Sequence, residues 1–301
     1  MIQTLEHRRF VEFCDACIRY RYIGLCYGRP GVGKTVSARH YSNWDKAQAY
    51  WDPIVGDKIP VEEIGAHTTV FYTAPVVCSP RILERDIAKD RSRLRGADVE
   101  IRRRAEDVKT QRLLRRANEL RDRHKNPDGY RSKEAMSAVR AFYDQRDRML
   151  RVGGSIPDPT TLLIIDEADR LKVTGLEEAR NIFDQGGIGL VLIGMPGIEK
   201  RLARYPQLYS RVGFVHEFRP LSPNEIRQLL EQCWAPPGVK LPDRALDSEA
   251  IAAVIRITGG NFRLLNRLLT QVERILEINS LGIVTKPAIE AARENLVIGQ
   301  S

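Results

Sequence analysis

Residues 28 to 35 read Gly28-Arg29-Pro30-Gly31-Val32-Gly33-Lys34-Thr35, a full match to the spacing G-x-x-x-x-G-K-[ST]. Glycines in so short a turn leave the backbone N–H groups free to cradle phosphate oxygens. Lys34 supplies a cation for the β- and γ-phosphates, and the Thr35 hydroxyl is suited to Mg²⁺. The run Tyr22-Ile-Gly-Leu-Cys-Tyr27 reads as a buried strand entering the turn. A helix beginning near Gly33 would aim its positive N-terminal dipole at the same anion. The spacing therefore implies ATP and Mg²⁺.

A second motif supplies the other half of the chemistry. In Thr161-Leu-Leu-Ile-Ile-Asp166-Glu167-Ala-Asp169, a short apolar run ends in two adjacent carboxylates. A continuous apolar run is how a central parallel strand, buried on both faces, is written in sequence. Ligands of such sheets bind at the carboxyl ends of the strands, which is where Asp166 would hold Mg²⁺, directly or through water. Glu167 fits the general base, or the group that positions water, for attack on the γ-phosphate. An ordinary strand with a solvated acidic turn could spell the same letters. The phosphate loop upstream favours the nucleotide reading.

The chain has 301 residues, enough for a sizeable core and about two domains. It contains no apolar stretch near the roughly 18 residues that span a bilayer, and its charged N-terminus is no signal peptide, so a cytoplasmic protein without a membrane partner is expected. Its five cysteines form no disulfide framework, and the histidines are scattered. Cys14-x-x-Cys17 has a metal-like spacing but no second pair. On a helical pattern with Phe10, Phe13 and Ile18 it reads as core.

Periodicity sets the elements. A helix at about 4–20 precedes the first strand, and a loop rich in Pro and Gly at 52–66 precedes a second strand, 68–73. Leu176, Ala179, Ile182 and Phe183 mark a helix after Asp166, and strands follow at 188–193 and 213–218. Strands alternating with helices imply an α/β fold with a parallel sheet and helices on both faces. Beyond Pro220 the pattern is helical throughout, at 222–233, 247–257, 261–278 and 286–296. The expected division is a nucleotide-binding core at 1–220 and a small all-helical domain at 221–301.

Residues 81–151 interrupt the alternation. They hold 22 Lys and Arg against 13 Asp and Glu, and this excess of nine equals the net charge of the whole chain, +9. The basicity is thus confined to one segment. Ile87, Leu94, Ile101 and Val108 recur at seven-residue spacing, a thin stripe that Gly96 could break. Asn126-Pro-Asp-Gly129 is a turn signal, and Met136, Val139, Phe142, Tyr143 and Leu150 form a second helical face. A basic helical hairpin results. Its clusters Arg91, Arg93, Arg95 and Arg102, Arg103, Arg104 favour double-stranded DNA, with a solvated arm for protein contacts as the alternative.

With these motifs in place, the chain resembles an AAA+ ATPase: a P-loop core with a helical C-terminal lid. Ser210-Arg211, before the last strand, resembles the arginine finger that reaches a neighbour's γ-phosphate, with Arg201 and Arg204 as nearby competitors. Gly259-Gly-Asn-Phe-Arg263 resembles the lid's second sensor, which makes Arg263 a contact to the phosphates of its own subunit. The chain departs from the pattern at the first sensor, where Gly194-Met195-Pro196 stands in place of a polar residue. The stretches Leu162–Leu171 and Gly187–Gly197 are similar to DNA-transposition regulators of the TnsC, TniB and MuB type. That likeness implies a bacterial, ATP-dependent, DNA-binding homo-oligomer, ring or filament, that marks target DNA and recruits a transposase. No acidic triad for strand transfer is evident in the chain. In the initiator-like branch of the family, helical insertions after the second strand contact DNA, as the segment at 81–151 would. The alternative of a different class is a helicase loader or a secretion or signalling ATPase acting on protein partners.

Overall fold

The computed structural model describes residues 4–54, 56–65, 67–123, 133–232, 234 and 248–296. In chain order the elements are α1 (Leu5–Tyr20), β1 (Ile23–Tyr27), α2 (Lys34–Tyr41), α3 (Trp44–Tyr50), β2 (Thr69–Thr73), α4 (Pro80–Arg123) and α5 (Lys133–Ser155). They continue with β3 (Leu162–Asp166), α6 (Val173–Gly186), β4 (Gly189–Gly194), α7 (Ile198–Leu202), α8 (Pro206–Tyr209) and β5 (Val212–Glu217). The last helices are α9 (Pro223–Gln232), α10 (Ser248–Thr258), α11 (Phe262–Ile278) and α12 (Lys286–Glu294). The turn signal at 126–129 lies outside the described residues.

The strands form one sheet in the order β2-β3-β4-β1-β5, and β4 pairs in parallel with β3 and β1, as β1 does with β5. The α/β class expected from alternation is therefore the observed one. Parallel neighbours need crossover connections, so the chain must leave the sheet between strands. β3 and β4 are buried along their whole length, whereas β5 alternates half-buried and exposed residues as a solvated edge does.

Chain contacts divide the protein into two compact units, one of residues 1–41, 71–80 and 162–301, the other of 42–70 and 81–161. In the first, α1 starts at Thr4, whose hydroxyl accepts the His7 N–H at 3.1 Å, and ends at Arg21 in the left-handed region (φ 52°). Its buried face of Phe10, Phe13, Cys14 and Cys17 packs on the sheet. A Cβ on Gly24 of β1 would lie 2.4 Å from Cys17 Sγ and 2.5 Å from Phe13 Cζ, so glycine there sets how closely helix and strand approach. The CxxC pair is core, and burial pushes the Cys17 thiol up to about 12. In the same unit, α9 to α12 share an apolar interior that includes Ile226, Leu230, Val254, Leu268, Val272 and Ile289.

In the second unit, Trp51 packs edge-on against the buried Trp44, and the Arg93 guanidinium lies 5.3 Å from the Trp51 ring centre. α4 runs unbroken through Gly96, which is exposed with nothing near its missing Cβ. The seven-residue stripe holds only in part. Ile87 and Leu94 are buried, but Val108 is 62% exposed, and Met136, Tyr143 and Leu150 of the expected second face are exposed too. Burial along α4 passes instead to Thr110 and Ala117, near which Gln145 of α5 donates to the Glu106 carboxylate. A stripe chosen by hydrophobicity alone missed this change of side.

Two glycines make opposite predictions. Gly24→Ala should destabilise by about 1–3 kcal/mol through overpacking against Cys17 and Phe13. Gly96→Ala should stabilise by about 0.4–1 kcal/mol, because an open helical site gains a better helix former. Urea unfolding midpoints of the two variants should move in opposite directions, and a shared direction would contradict the packing described for β1.

Candidate functional site

The loop between β1 and α2 has a geometry only glycine-rich sequence allows. Gly31 and Gly33 sit at φ +81° and +114°, in the region L side chains avoid. A Cβ on Gly28 would lie 2.3 Å from the Phe218 carbonyl oxygen. Lys34, in the first turn of α2, is buried, and its ammonium donates to the carbonyls of Gly28 (2.5 Å) and Arg29 (3.0 Å). Burial lowers its pKa, opposed by several neighbouring acids that include Asp166 and Glu167.

The Thr35 hydroxyl donates to Asp166 Oδ2 at 2.7 Å, and Asp166 Oδ1 accepts the Glu167 N–H at 2.9 Å. The two sequence motifs, 131 residues apart, thus meet in one hydrogen bond. Asp166 is 3% exposed, and burial raises its pKa against the pull of Thr35. A hydroxyl and a buried carboxylate side by side are hard oxygen donors of the kind Mg²⁺ takes. Glu167 holds a left-handed backbone (φ 55°), uncommon for a residue other than glycine, and pairs at 3.7 Å with Arg170. Arg170 is itself tied to the Ala74 carbonyl at 2.9 Å.

A cleft of about 630 Å³ gathers these groups. Its walls include Gly31, Lys34, Thr35, Asp166, Glu167 and Arg263. Arg263 reaches the cleft because the start of α11 is stitched to the loop. The Arg263 N–H donates to the Gly31 carbonyl at 2.9 Å, and Asn261 Nδ2 to the Pro30 carbonyl at 2.9 Å. Asn261 also caps α11 by accepting the Leu264 N–H. Sequence reasoning gave no role to Asp169 and Arg267, which line the cleft, or to Asn261, which docks α11 on the loop. Asp169 Oδ2 accepts the Met195 N–H at 2.8 Å, so a carboxylate from the β3 motif stands beside the end of β4 where Gly194 and Met195 replace a polar side chain. Asn261 is a motif residue three before an apolar helical run, a signal that was legible as a helix cap.

The remaining nominated arginines fall elsewhere. Arg211 is held by Asp184 through two bonds, of 2.6 and 2.9 Å, and also donates to the Gln207 carbonyl. Arg201 donates to the carbonyls of Asp169 and Leu171, so its guanidinium braces that segment. Arg204 is exposed. In the other unit, Arg91 pairs with Asp158 (2.6 Å), Arg93 with Asp90, Arg102 with Asp98, and Arg104 with Glu100 and Glu62. Among the described residues, Arg95 and Arg103 carry no ion pair; both are exposed.

Comparison with known proteins agrees with this geometry. Residues 18–202 match the family model described as an AAA domain. A "Potential ATP-binding protein" of Staphylococcus aureus is 39% identical over 99% of this chain and 97% of its own length. The "Mu-like prophage FluMu DNA transposition protein B" of Haemophilus influenzae is 33% identical over 113 residues, 35% of this chain and 37% of that protein. Among solved structures, the Aeropyrum pernix ORC1 protein in complex with DNA aligns with a TM-score of 0.52 at 17% identity, over 97% of this chain and 64% of that one. The chain belongs to the AAA-domain family of P-loop ATPases. Among the described residues, no helix is long and apolar enough to cross a membrane.

Three substitutions test the site. Lys34→Ala should abolish measurable ATP binding in equilibrium titration, whereas Glu167→Gln should bind ATP and turn it over at least 10²-fold more slowly. A wild-type rate for Glu167→Gln would remove it from the chemistry. Asp166→Asn should lose Mg²⁺-dependent binding yet raise the melting temperature of the protein without nucleotide. The sign follows from linkage: a carboxyl whose folded pKa is raised binds more protons when folded, so it contributes stability only as pH falls through that value. The gain from Asp166→Asn should therefore be present at pH 7 and shrink toward pH 4.

Proposed function

We propose that this AAA-domain protein is an ATP-gated, DNA-binding regulator of DNA transposition, which assembles on target DNA and recruits or stimulates a transposase. The partial likeness to a DNA transposition protein B carries the reading. The net charge of +9 gathered in residues 81–151 supports it. The working parts are a core at 1–220, a basic insertion at 81–151 and a helical lid at 221–301, in a cytoplasmic protein.

Within that reading, residues 28–35 hold the triphosphate and Arg263 reaches its phosphates from the lid. Mg²⁺ held by Thr35 and Asp166 would neutralise phosphate charge. Glu167 would accept a proton from the water that attacks the γ-phosphorus, and its pair with Arg170 is an exposed one that costs little to break. Arg211 leaves Asp184 to complete the site of a neighbouring copy, so hydrolysis depends on assembly and ends it. The ion pairs along α4 favour a second reading in which this segment docks protein, and DNA binding decides between the two.

In the first reading, protein with a non-hydrolysable ATP analogue should bind duplexes of any sequence with similar affinity. The log–log salt slope should be about −0.9 per phosphate contacted. Replacing Arg102, Arg103 and Arg104 together by Ala should weaken binding to all sequences alike and flatten that slope. Unchanged affinity and slope would make the segment a protein-docking arm. For the trans arginine, Arg211→Ala should bind ATP but not hydrolyse it, and mixing with Lys34→Ala should restore part of the activity. Normal assembly without rescue would move the role to Arg201 or Arg204, or out of this region.

A further inference from the structure

The turn from α1 into β1 reads Arg19-Tyr20-Arg21-Tyr22, two cations alternating with two rings, and all four residues are exposed. Arg21 ends the helix at φ 52° with its N–H on the Cys17 carbonyl, and this tight turn sets Tyr20 and Tyr22 side by side. Their rings are near-parallel, 18° apart in plane, with centres 6.4 Å apart. Phe214 of β5 closes a triangle, 5.8 Å from each ring. A Cβ on Gly213 would lie 2.4 Å from Tyr22 Cδ2, so glycine in β5 is what lets that ring lie against the strand. Even so packed, Tyr20 is 54% exposed and Tyr22 47%. The Arg19 guanidinium carbon lies 5.5 Å from the Tyr20 ring centre, a cation beside the stacking surface. Among the described residues neither Arg19 nor Arg21 has a carboxylate partner, whereas Arg9, Arg180 and Arg211 of the same compact unit each have one.

We propose that this platform takes unpaired bases of a single-stranded nucleic acid, the rings stacking on bases while Arg19 and Arg21 meet the flanking phosphates. The chemistry is that of sequence-tolerant strand binding, because every base offers a π-face and every base is joined to a charge. A duplex is not the fitting ligand, since its bases are already stacked and paired. The platform is separate from the features described above. It sits at the amino end of β1, whose five residues span about 16 Å before the phosphate loop begins. It also belongs to the compact unit that does not hold residues 81–151. Outside that segment the chain is neutral overall, so two unpaired arginines here are a local excess of positive charge that suits a polyanion. A face for a second copy of this chain would draw on aliphatic side chains as well, since homomeric interfaces are more apolar than the surface around them. Val215, exposed on β5, falls on the opposite face of the sheet from Phe214 by the alternation of a strand. What stands with Phe214 is aromatic and cationic.

The test is fluorescence anisotropy of the full-length protein with labelled probes of equal length: oligothymidylate, oligouridylate, a strand of abasic sugar phosphates and a duplex. The abasic strand keeps every phosphate and lacks the bases. Wild type should bind base-bearing single strands on the order of tenfold more tightly than the abasic one, and the comparison of thymidylate with uridylate tells which sugar the strand carries. Tyr20→Leu and Tyr22→Leu should each remove most of that preference and leave the abasic strand within about twofold of wild type. Tyr22→Phe keeps the ring and should keep the preference. Arg19→Gln combined with Arg21→Gln should weaken base-bearing and abasic strands alike and flatten the salt slope. Should Tyr22→Leu fail to fold, because its ring packs on Gly213, the more exposed Tyr20→Leu decides. Repeating the series with Arg102, Arg103 and Arg104 replaced by Ala separates this site from duplex binding, whose loss there should leave the preference for bases in place. Wild-type protein that bound base-bearing strands no better than the abasic one, or a preference that survived both leucine variants, would overturn the proposal. So would leucine variants that lost ATP-dependent self-assembly in light scattering with the preference for bases intact, since the patch would then be a contact between copies.

Discussion

Asp166 is a carboxylate at the end of a strand buried on both faces, and satisfying it organises four of the five strand ends at the carboxyl edge of the sheet. One oxygen takes the Thr35 hydroxyl, the other the Glu167 N–H, and its backbone carbonyl accepts the Ala74 N–H at 2.9 Å. Thr35 brings in the helix that follows β1, and Ala74 the chain leaving β2. Two residues on from Glu167, Asp169 binds the Met195 N–H and so draws in the end of β4. Four strand ends are thereby tied to one short acidic segment. The cost of burying a charge is met locally by donors that must stand in fixed places, so that cost is also what fixes the geometry. The same burial leaves the carboxylate ready for a cation, because a raised pKa records how little compensation the folded chain gives its charge.

The second tie runs from the phosphate loop to the C-terminal helices. Asn261 accepts a helix N–H with one atom of its amide and donates to Pro30 with the other, so a single side chain both starts α11 and docks it. Gly31 must be glycine on two counts: its φ of +81°, and the Asn261 amide 2.5 Å from where a Cβ would be. Gly260, at φ +80°, would likewise drive a Cβ to 2.2 Å from the Leu221 carbonyl oxygen. Arg263 then enters the cleft as a consequence of helix phase. It follows the cap by two residues, while the apolar positions Leu265, Leu268 and Val272 are turned into the helical core.

What could be read from the letters alone was whatever depends on local chemistry. A phosphate loop is legible because its turn admits only glycine at certain φ values, and β3 because a doubly buried strand has no polar alternation. The helices of the C-terminal region were legible from periodicity. Strand order was not, since β1 lies between β4 and β5 through crossovers that no spacing encodes. Nor was the side of α4 that packs: the apolar stripe is real at Ile87 and Leu94, but alanine and threonine take over at Ala117 and Thr110, residues too small or polar to mark a face. The arginines were the least legible. Asp98–Arg102 and Glu100–Arg104 sit at i,i+4 and could have been paired on paper. Arg91 with Asp158, Arg104 with Glu62, Arg211 with Asp184 and Arg201 with two carbonyls all need the tertiary fold.

Those pairs change what a basic segment means without cancelling it. Pairing an arginine with a carboxylate leaves the net charge as it was, so the excess of nine still attracts a polyanion at distances up to the Debye length of about 8 Å at physiological salt. At contact the arginines are no longer equivalent. On the DNA-binding reading proposed above, Arg95 and Arg103 would meet a phosphate directly, while Arg102 and Arg104, each more than half exposed, would exchange a carboxylate for a phosphate at little cost because an exposed pair is worth about 0.2–1 kcal/mol. Arg91 is bound at 2.6 Å with its side chain 23% exposed, and exchanging that partner would strip Asp158 of the charge that offsets its own partial burial. Charge count governs how strongly such a surface attracts, and local pairing governs which side chains it touches with. The first was written in the composition, and the second was decided by the fold.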